Sequence, residues 1–383
     1  MIFGSSRPIK AFDYLPLARR RLPRMIFDYL EGGADEEQAL KRNRTAFDRW
    51  RFKPCRLVDV SQRSLATSLF GAALPMPLII GPTGLNALFW PAGDQELARA
   101  AGRAGIPFVL STASNASIEE VADAVAGDLW FQLYIIHREL ADQLVTRARD
   151  ADYSTLVVTV DVAVNGFRER DMRNGFGLPL RYTPRMLLDA VIHPRWSASL
   201  LRHGIPQFAN FVAADAASVE AQAALMSRQM DASFGWDDLA RIRDRWPRKL
   251  LVKGLVDPQD AARALEVGAD GVILSNHGGR QLEGIISPMA SLGQTVAVAG
   301  DAPVLVDSGF RHGSEIVKAL ALGARAVLLG RATLYGLAAR GGAGVDDVLR
   351  LLREEMDRTL AQIGCPSAAA LTPDYLAAEL QLT

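Results

Sequence analysis

Eight short, continuously apolar runs recur along the chain, each followed by a longer stretch of different rhythm. They lie at 77–81 (PLIIG), 107–110 (PFVL), 129–132 (LWFQ), 155–160 (TLVVTV), 250–253 (LLVK), 271–274 (GVIL), 304–307 (VLVD) and 326–329 (AVLL). Such runs suit strands buried on both faces, where neither face can show polar residues to water. Parallel neighbours need long crossovers, usually helical, and 94–105 and 257–268 have helical periodicity. Eight repeats predict a closed (β/α)8 TIM barrel of the α/β class. An open doubly wound sheet is the alternative. It would more often carry a glycine-rich dinucleotide turn after its first strand, and Gly81-Pro82-Thr83-Gly84 lacks that fingerprint.

The chain has 383 residues, against roughly 250 for a bare barrel, so the reading is one elaborated domain. An N-terminal helical extension takes 1–74. It includes an amphipathic helix over 22–30 that stops at Gly32-Gly33, then helical spacing through Trp50. The barrel takes 75–161 and 236–340, and C-terminal helices take 341–383. An insertion at 162–235, after strand four, is far longer than an ordinary βα connection.

Lys and Arg total 43 and Asp and Glu total 43, so no basic balance calls for nucleic acid. An acidic substrate would need a local basic pocket instead. The two cysteines, Cys55 and Cys365, have neither metal-site spacing nor a disulfide framework. Two idle thiols in a reducing compartment account for them. Residues 1–10 lack the apolar core of a signal peptide. No stretch is long and apolar enough to span a bilayer, which leaves attachment from the surface.

In this fold, chemistry sits at the C-terminal ends of the strands, and the polar residues fall there. The ends carry Pro82-Thr83-Gly84, Ser111-Thr112, Gln132-Leu133-Tyr134, and Thr159 with Asp161 and then Arg168. They continue with Lys253, Ser275-Asn276-His277-Gly278-Gly279-Arg280, Asp307-Ser308-Gly309-Phe310-Arg311, and Gly330-Arg331. Any one of these has a bland explanation as a satisfied rim residue or a turn. Convergence at all eight ends is harder to explain that way. Loops after strands seven and eight commonly bind phosphate in this fold. Gly309, Gly313 and Gly330 predict close backbone approach there, and Arg311 and Arg331 add charge. Ordinary loop glycines and surface arginines are the competing reading.

Ser275-Asn276-His277-Gly278-Gly279-Arg280-Gln281 followed by Asp307-Ser308-Gly309-Phe310-Arg311 resembles the FMN-dependent 2-hydroxy acid dehydrogenase and oxidase family, over about 12–371. Gly81-Pro82-Thr83-Gly84-Leu85-Asn86, Trp130-Phe131-Gln132-Leu133-Tyr134, Asp161-Val162-Ala163-Val164-Asn165-Gly166 and His193-Pro194-Arg195-Trp196 place the likeness nearest the branch that oxidises (S)-mandelate to benzoylformate.

The resemblance implies FMN as cofactor and His277 as the active-site base, a role suited to a side chain titrating near neutrality. Asp161 would orient His277. Arg280 and Arg168 would clamp the substrate carboxylate, for which the guanidinium fork is suited. Tyr29 and Tyr134 would hydrogen-bond the substrate, although Tyr29 alone reads as an ordinary core aromatic. For FMN, the backbone of Pro82, Thr83 and Gly84 would face the N5 edge. Ser111, Gln132, Thr159 and Ser275 would also contact it, and Lys253 would lie near N1 and O2. Asp307, Gly309, Arg311, Gly330 and Arg331 would hold ribityl and phosphate. Hydride transfer and carbanion formation use the same residues, so the residues do not choose between them. Gly84 stands where oxidases of the family resemble one another in having Ala, which leans towards a dehydrogenase.

Within the insertion, 178–215 mixes Leu180, Met186-Leu187-Leu188, Val191-Ile192, Trp196, Leu200-Leu201, Ile205 and 208–212 with Arg181, Arg185, Arg195 and Arg202, against Asp189 and Asp215. Composition fits equally a face set into one leaflet and a loop packed on a neighbouring subunit or over the site. The resemblance favours the membrane. It further implies a monotopic homotetramer on the cytoplasmic side of the inner membrane, in a mandelate pathway, delivering electrons to a membrane quinone. An L-lactate dehydrogenase or an oxidase using oxygen is the nearer alternative. A flavin-free phosphate-binding barrel isomerase, or a membrane-docking protein without turnover, belongs to another class.

Overall fold

The computed structural model describes residues 7–176, 184–211 and 230–378. Three short strands precede the barrel: β1 (Trp50–Phe52), β2 (Thr67–Leu69) and β3 (Ala72–Leu74). The barrel strands are β4 (Leu78–Ile80), β5 (Phe108–Ser111), β6 (Leu129–Leu133), β7 (Thr155–Thr159), β8 (Lys249–Leu255), β9 (Gly271–Leu274), β10 (Val304–Val306) and β11 (Ala326–Leu329), with β12 (Leu376–Ala378) near the end. Strands β4 to β11 pair in parallel, in sequence order, and β11 closes on β4. Each predicted apolar run is therefore a barrel strand.

Alternate strand residues point inward. Ile79, Val109, Trp130, Val157, Leu251, Ile273, Leu305 and Leu328 form the inner core. Their neighbours face the surrounding helices and join the larger outer core. The β2–β3 hairpin plugs one end: Leu69 and Leu74 are buried with the inner core, and Phe70 packs against it. Burial on both faces is why the runs read as continuously apolar.

The flanks differ from expectation. The extension is not helical throughout, since it holds β1 and the hairpin as well as helices Tyr14–Arg21, Arg24–Glu31 and Gln38–Thr45. The helix expected over 22–30 begins at Arg24, because Pro23 takes its N-cap position, and it ends at Gly32 as expected. The C-terminal segment likewise holds a strand, as β12 pairs antiparallel with β1. The partners are more than 300 residues apart, beyond the reach of local periodicity. Most of the expected C-terminal helix is a single one, Gly342–Ile363.

The described part of the insertion holds helices Pro184–Ile192 and Pro194–His203. Trp196, Phe208 and Phe211 are buried, and the Trp196 indole donates to the Leu88 carbonyl at 2.8 Å. Leu188, Val191, Ile192, Leu201 and Ile205 are exposed. Of the residues named in this stretch from sequence, Leu180, Arg181, Val212 and Asp215 lie outside the described residues, as do the side chains of Arg185, Met186 and Leu187.

Candidate active site

The strand ends open into a cavity of about 480 Å³, within the range of ligand pockets. Of the residues singled out from sequence, Tyr29, Pro82, Thr83, Gly84, Ser111, Tyr134, Arg168, Lys253, His277, Arg280, Asp307, Gly309, Arg311, Gly330 and Arg331 line it. Asp161, Gln132, Thr159 and Ser275 do not. They stand directly behind the lining.

His277 Nδ1 lies 3.0 Å from Asp161 Oδ1, and Tyr134 Oη lies 3.3 Å from Nε2. The carboxylate favours the Nδ1–H tautomer, which turns the Nε2 lone pair towards the tyrosine hydroxyl and the cavity. Burial lowers the His277 pKa below its usual value, assisted by Lys253 and Arg168 and opposed by Asp161. The imidazole is therefore neutral and basic near pH 7. Burial alone would raise the Asp161 pKa, but His277 and Lys253 outweigh it and hold the carboxyl ionised.

Local backbone accounts for this pairing. His277 has φ +57° and Ser308 has φ +77°, left-handed conformations that cost a non-glycine residue free energy and concentrate at functional sites. The Ser308 hydroxyl accepts from the Asn276 and Gly278 backbone N–H groups, and Asn276 exchanges two amide hydrogen bonds with the buried Asn43 of the extension. Behind Asp161, Gly254 has φ +106°, and a Cβ there would lie 2.7 Å from the Asp161 Cβ and Cγ. A bulge in β8 at this point turns the chain. Only glycine lets Asp161 approach so closely.

Arg168 and Arg280 flank the Tyr29 ring, with guanidinium carbons 6.0 and 5.1 Å from its centroid. Arg280 Nη1 donates to the Tyr29 and Gly32 carbonyls, which docks the Arg24–Glu31 helix over the cavity and leaves other guanidinium N–H groups for an anion. The Gly166 N–H donates to the Gln281 side chain at 2.7 Å, laying the start of the insertion against the His277 loop. Sequence reading missed Phe176, which stacks on Tyr29 at 4.4 Å, and Phe89 at 6.2 Å on the same ring. No local motif marks either of them.

At the cavity floor, Lys253 Nζ donates to Ser275 Oγ at 2.9 Å and pairs with Asp307 at 3.2 Å. Burial works against its charge, but Asp307 and Asp161 more than compensate and raise its pKa. A fixed cation therefore sits in the floor. The far end has two arginines. Arg311 donates to the Tyr335 hydroxyl at 3.0 Å. Arg331 donates to the Leu30, Gly278 and Gly32 carbonyls. Burial, with Arg280 close by, lowers the Arg331 pKa to about 10. Arg331 thus clamps three chain segments, beyond the charge expected of it. Gly313 departs from expectation. Its N–H donates to Glu355 at 2.6 Å, and a Cβ there would meet Glu355 and Met356 at 2.5 Å. It serves helix packing.

Gln132 Nε2 and Thr159 Oγ1 are among the buried polar atoms with no hydrogen-bond partner among the described residues. Ser111 Oγ donates to the Gln132 side-chain oxygen at 3.1 Å, and Thr159 is in register with Lys253. A Cβ on Gly330 would meet only Thr83 Cγ2, at 3.8 Å, so the residue leaves the cavity open. Unmet donors behind a cationic floor, with glycine and arginine at one end, fit a flat polar ring system carrying a phosphate.

The family model for FMN-dependent dehydrogenases matches residues 18–378. The chain belongs to the FMN-dependent dehydrogenase family. It is an FMN-dependent oxidoreductase, and FMN is its cofactor. It is 64% identical over 364 residues to (S)-mandelate dehydrogenase of Pseudomonas putida, covering 95% of this chain and 92% of that one. It is 40% identical to an L-lactate dehydrogenase of Yersinia pestis, covering 95% and 97%. A crystal structure described as the monotopic membrane protein (S)-mandelate dehydrogenase superposes with TM-score 0.95 at 62% identity, covering 98% of this chain and all of that one. The (β/α)8 barrel expected from the apolar runs and the FMN-dependent chemistry that the resemblance implied therefore hold.

Proposed function

We propose that this FMN-dependent dehydrogenase oxidises (S)-mandelate to benzoylformate. The observation that carries the reading is the convergence of the His277–Asp161 pair, two guanidiniums and two tyrosines on one cavity above a buried cation. The 64% identity to (S)-mandelate dehydrogenase supports the aromatic substrate, as does the apolar wall of Phe89, Phe176, Met172 and Leu85.

Arg168 and Arg280 grip the carboxylate, fixing the 2-hydroxyl towards His277. His277 Nε2 takes the proton of the substrate as the two electrons leave Cα, and Asp161 stabilises the resulting imidazolium. Tyr134 donates to the substrate oxygen, and Tyr29 closes the mouth. Bound FMN supplies the two-electron acceptor. Gln132, Ser111, Thr159 and the backbone at Pro82 to Gly84 would hold its ring system, and Gly309, Arg311, Gly330 and Arg331 its phosphate. The Lys253 cation would stabilise the negative charge that the cofactor gains on reduction.

The insertion seats the enzyme on one leaflet, with electrons passed to a quinone. Exposed Leu188, Val191, Ile192 and Leu201 support this, and no helix among the described residues is long and apolar enough to cross a membrane. A homotetramer on the cytoplasmic face of the inner membrane belongs to the same reading and rests on the family resemblance.

Anaerobic bleaching of the flavin by (S)-mandelate, (R)-mandelate, lactate and glycolate tests the substrate. (S)-mandelate is expected to bleach fastest, and preference for lactate would overturn the assignment. Replacing 178–215 with a short linker is expected to release soluble, active enzyme. Unchanged membrane association would refute the seat.

A further inference from the structure

Asp94 and Asn86 are polar, outside the cavity lining, and each only 1% exposed. Asp94 sits in the first turn of the Gly93–Ala104 helix. Its Oδ1 accepts from the Asn86 side-chain amide at 2.7 Å. Its Oδ2 accepts from the Asn115 and Ala116 backbone N–H groups at 2.8 and 3.2 Å. The same Asn86 amide nitrogen donates to the Thr83 carbonyl at 3.0 Å, and Asn86 Oδ1 accepts from the Thr83 hydroxyl at 3.0 Å. One buried carboxylate thus joins the loop after β4 to the loop after β5.

These loops meet where the cavity is lined. The Leu85 N–H donates to the Ala113 carbonyl at 3.1 Å, and a Cβ on Gly84 would already be 3.0 Å from Ala113. Leu85 at φ +58° and Ala92 at φ +52° bracket the Asn86 segment. Left-handed backbone at two non-glycine residues persists only where surrounding contacts over-determine it. The Asp94–Asn86 pair supplies those contacts.

We infer that Asp94, acting through Asn86, is a positioning residue for the Thr83–Gly84 backbone against the isoalloxazine of FMN. The inference rests on the proposed placement of FMN at Pro82 to Gly84. The carboxylate makes three acceptor contacts and no donor contact, as an ionised group should, although burial raises its pKa to about 6 against those hydrogen bonds. An amide at position 94 cannot satisfy both sides. With its oxygen towards Asn115 and Ala116, its NH2 faces the Asn86 NH2. Flipping Asn86 to relieve that turns its oxygen on the Thr83 carbonyl. The conflict therefore arrives at the cofactor loop.

The test uses FMN-loaded Asp94→Asn and Asn86→Ala, beside the wild type. Readouts are the FMN midpoint potential, the absorbance of oxidised FMN, the FMN dissociation constant, and kcat against KM for (S)-mandelate. FMN affinity is expected to fall about tenfold or more, the scale of one buried hydrogen bond left unmade. A tenfold difference in that loss between oxidised and reduced FMN would move the two-electron potential by about 30 mV. KM should stay near wild type, because Arg168 and Arg280 are untouched. Two folded variants with wild-type potential, spectrum and FMN affinity would overturn the inference. So would loss of the barrel itself in both, read by circular dichroism, since the pair would then serve only the scaffold. A wild-type chain that binds no flavin would overturn the underlying placement as well, a result distinct from unperturbed variants of a normal holoenzyme.

Discussion

Asp161→Asn isolates the contribution of one buried charge to the base. In the wild type, Asp161 Oδ1 is 3.0 Å from His277 Nδ1, and the carboxylate raises the imidazole pKa both by its charge and by this hydrogen bond. Unit charges about 4 Å apart interact by about 4 kcal/mol at an effective dielectric constant near 20. That energy is absent in the neutral resting imidazole and present once His277 is protonated, so its loss falls on the transition state. At about 1.4 kcal/mol per factor of ten, kcat should drop by about 10³, inside the range of general-base effects. Asparagine can also turn its NH2 towards Nδ1, moving the imidazole proton to Nε2 and blocking the base. KM for (S)-mandelate should change little, because Arg168 and Arg280 keep their places. The assay is anaerobic stopped-flow reduction of the flavin at saturating (S)-mandelate, with circular dichroism and flavin content as controls for folding. A loss of less than tenfold in the folded, FMN-loaded variant would refute the claim that Asp161 stabilises charged His277.

Further outcomes follow from the same geometry. The proposed mechanism needs neutral His277, and burial lowers its pKa. The kcat/KM for free enzyme and substrate should therefore hold as pH falls to about 6.5, the usual imidazole value, and decline only below it. An inflection well above that value would contradict the assignment. Arg168→Met should raise KM at least tenfold, the scale of a charged hydrogen bond of about 1.5–3 kcal/mol, read from steady-state kinetics with a series of 2-hydroxy acids. Phe176→Ala removes the ring stacked on Tyr29 and should weaken (S)-mandelate more than lactate, as the ratio of their KM values would reveal. Gly313→Ala sets a methyl within 2.5 Å of Glu355 and Met356. It should cost about 1–3 kcal/mol of overpacking, visible as a lower Tm with flavin chemistry retained.

How far the site was legible depends on the kind of contact. His277, Arg280, Lys253 and Asp307 were readable because a barrel puts strand ends on one rim, whatever the loops do. Tyr29 needed the family resemblance, because nothing in 22–30 distinguishes a cavity-facing tyrosine from a core one. Gln132 and Thr159 were named correctly as polar strand-end residues, but their burial behind the lining, with unmet polar atoms, needed coordinates. Phe176, Phe89 and Gly254 were missed, and Gly313 was put to the wrong task, because each is defined by a neighbour far away in the chain.

Sequence by itself determined the barrel and most of the polar residues that line its rim. Parallel strands buried on both faces leave an apolar run that survives any loop, and the polar residue ending each run has one rim to occupy. Tertiary structure alone decided how those groups are aimed. The Asp161–Gly254 approach, the Arg331 clamp, the hairpin in the barrel end and the Asp94–Asn86 link each join segments that no local period connects. Local pattern records what one segment buries. It does not record which distant segment comes to cover it, and at this site that choice sets the charge on Lys253 and the tautomer of His277.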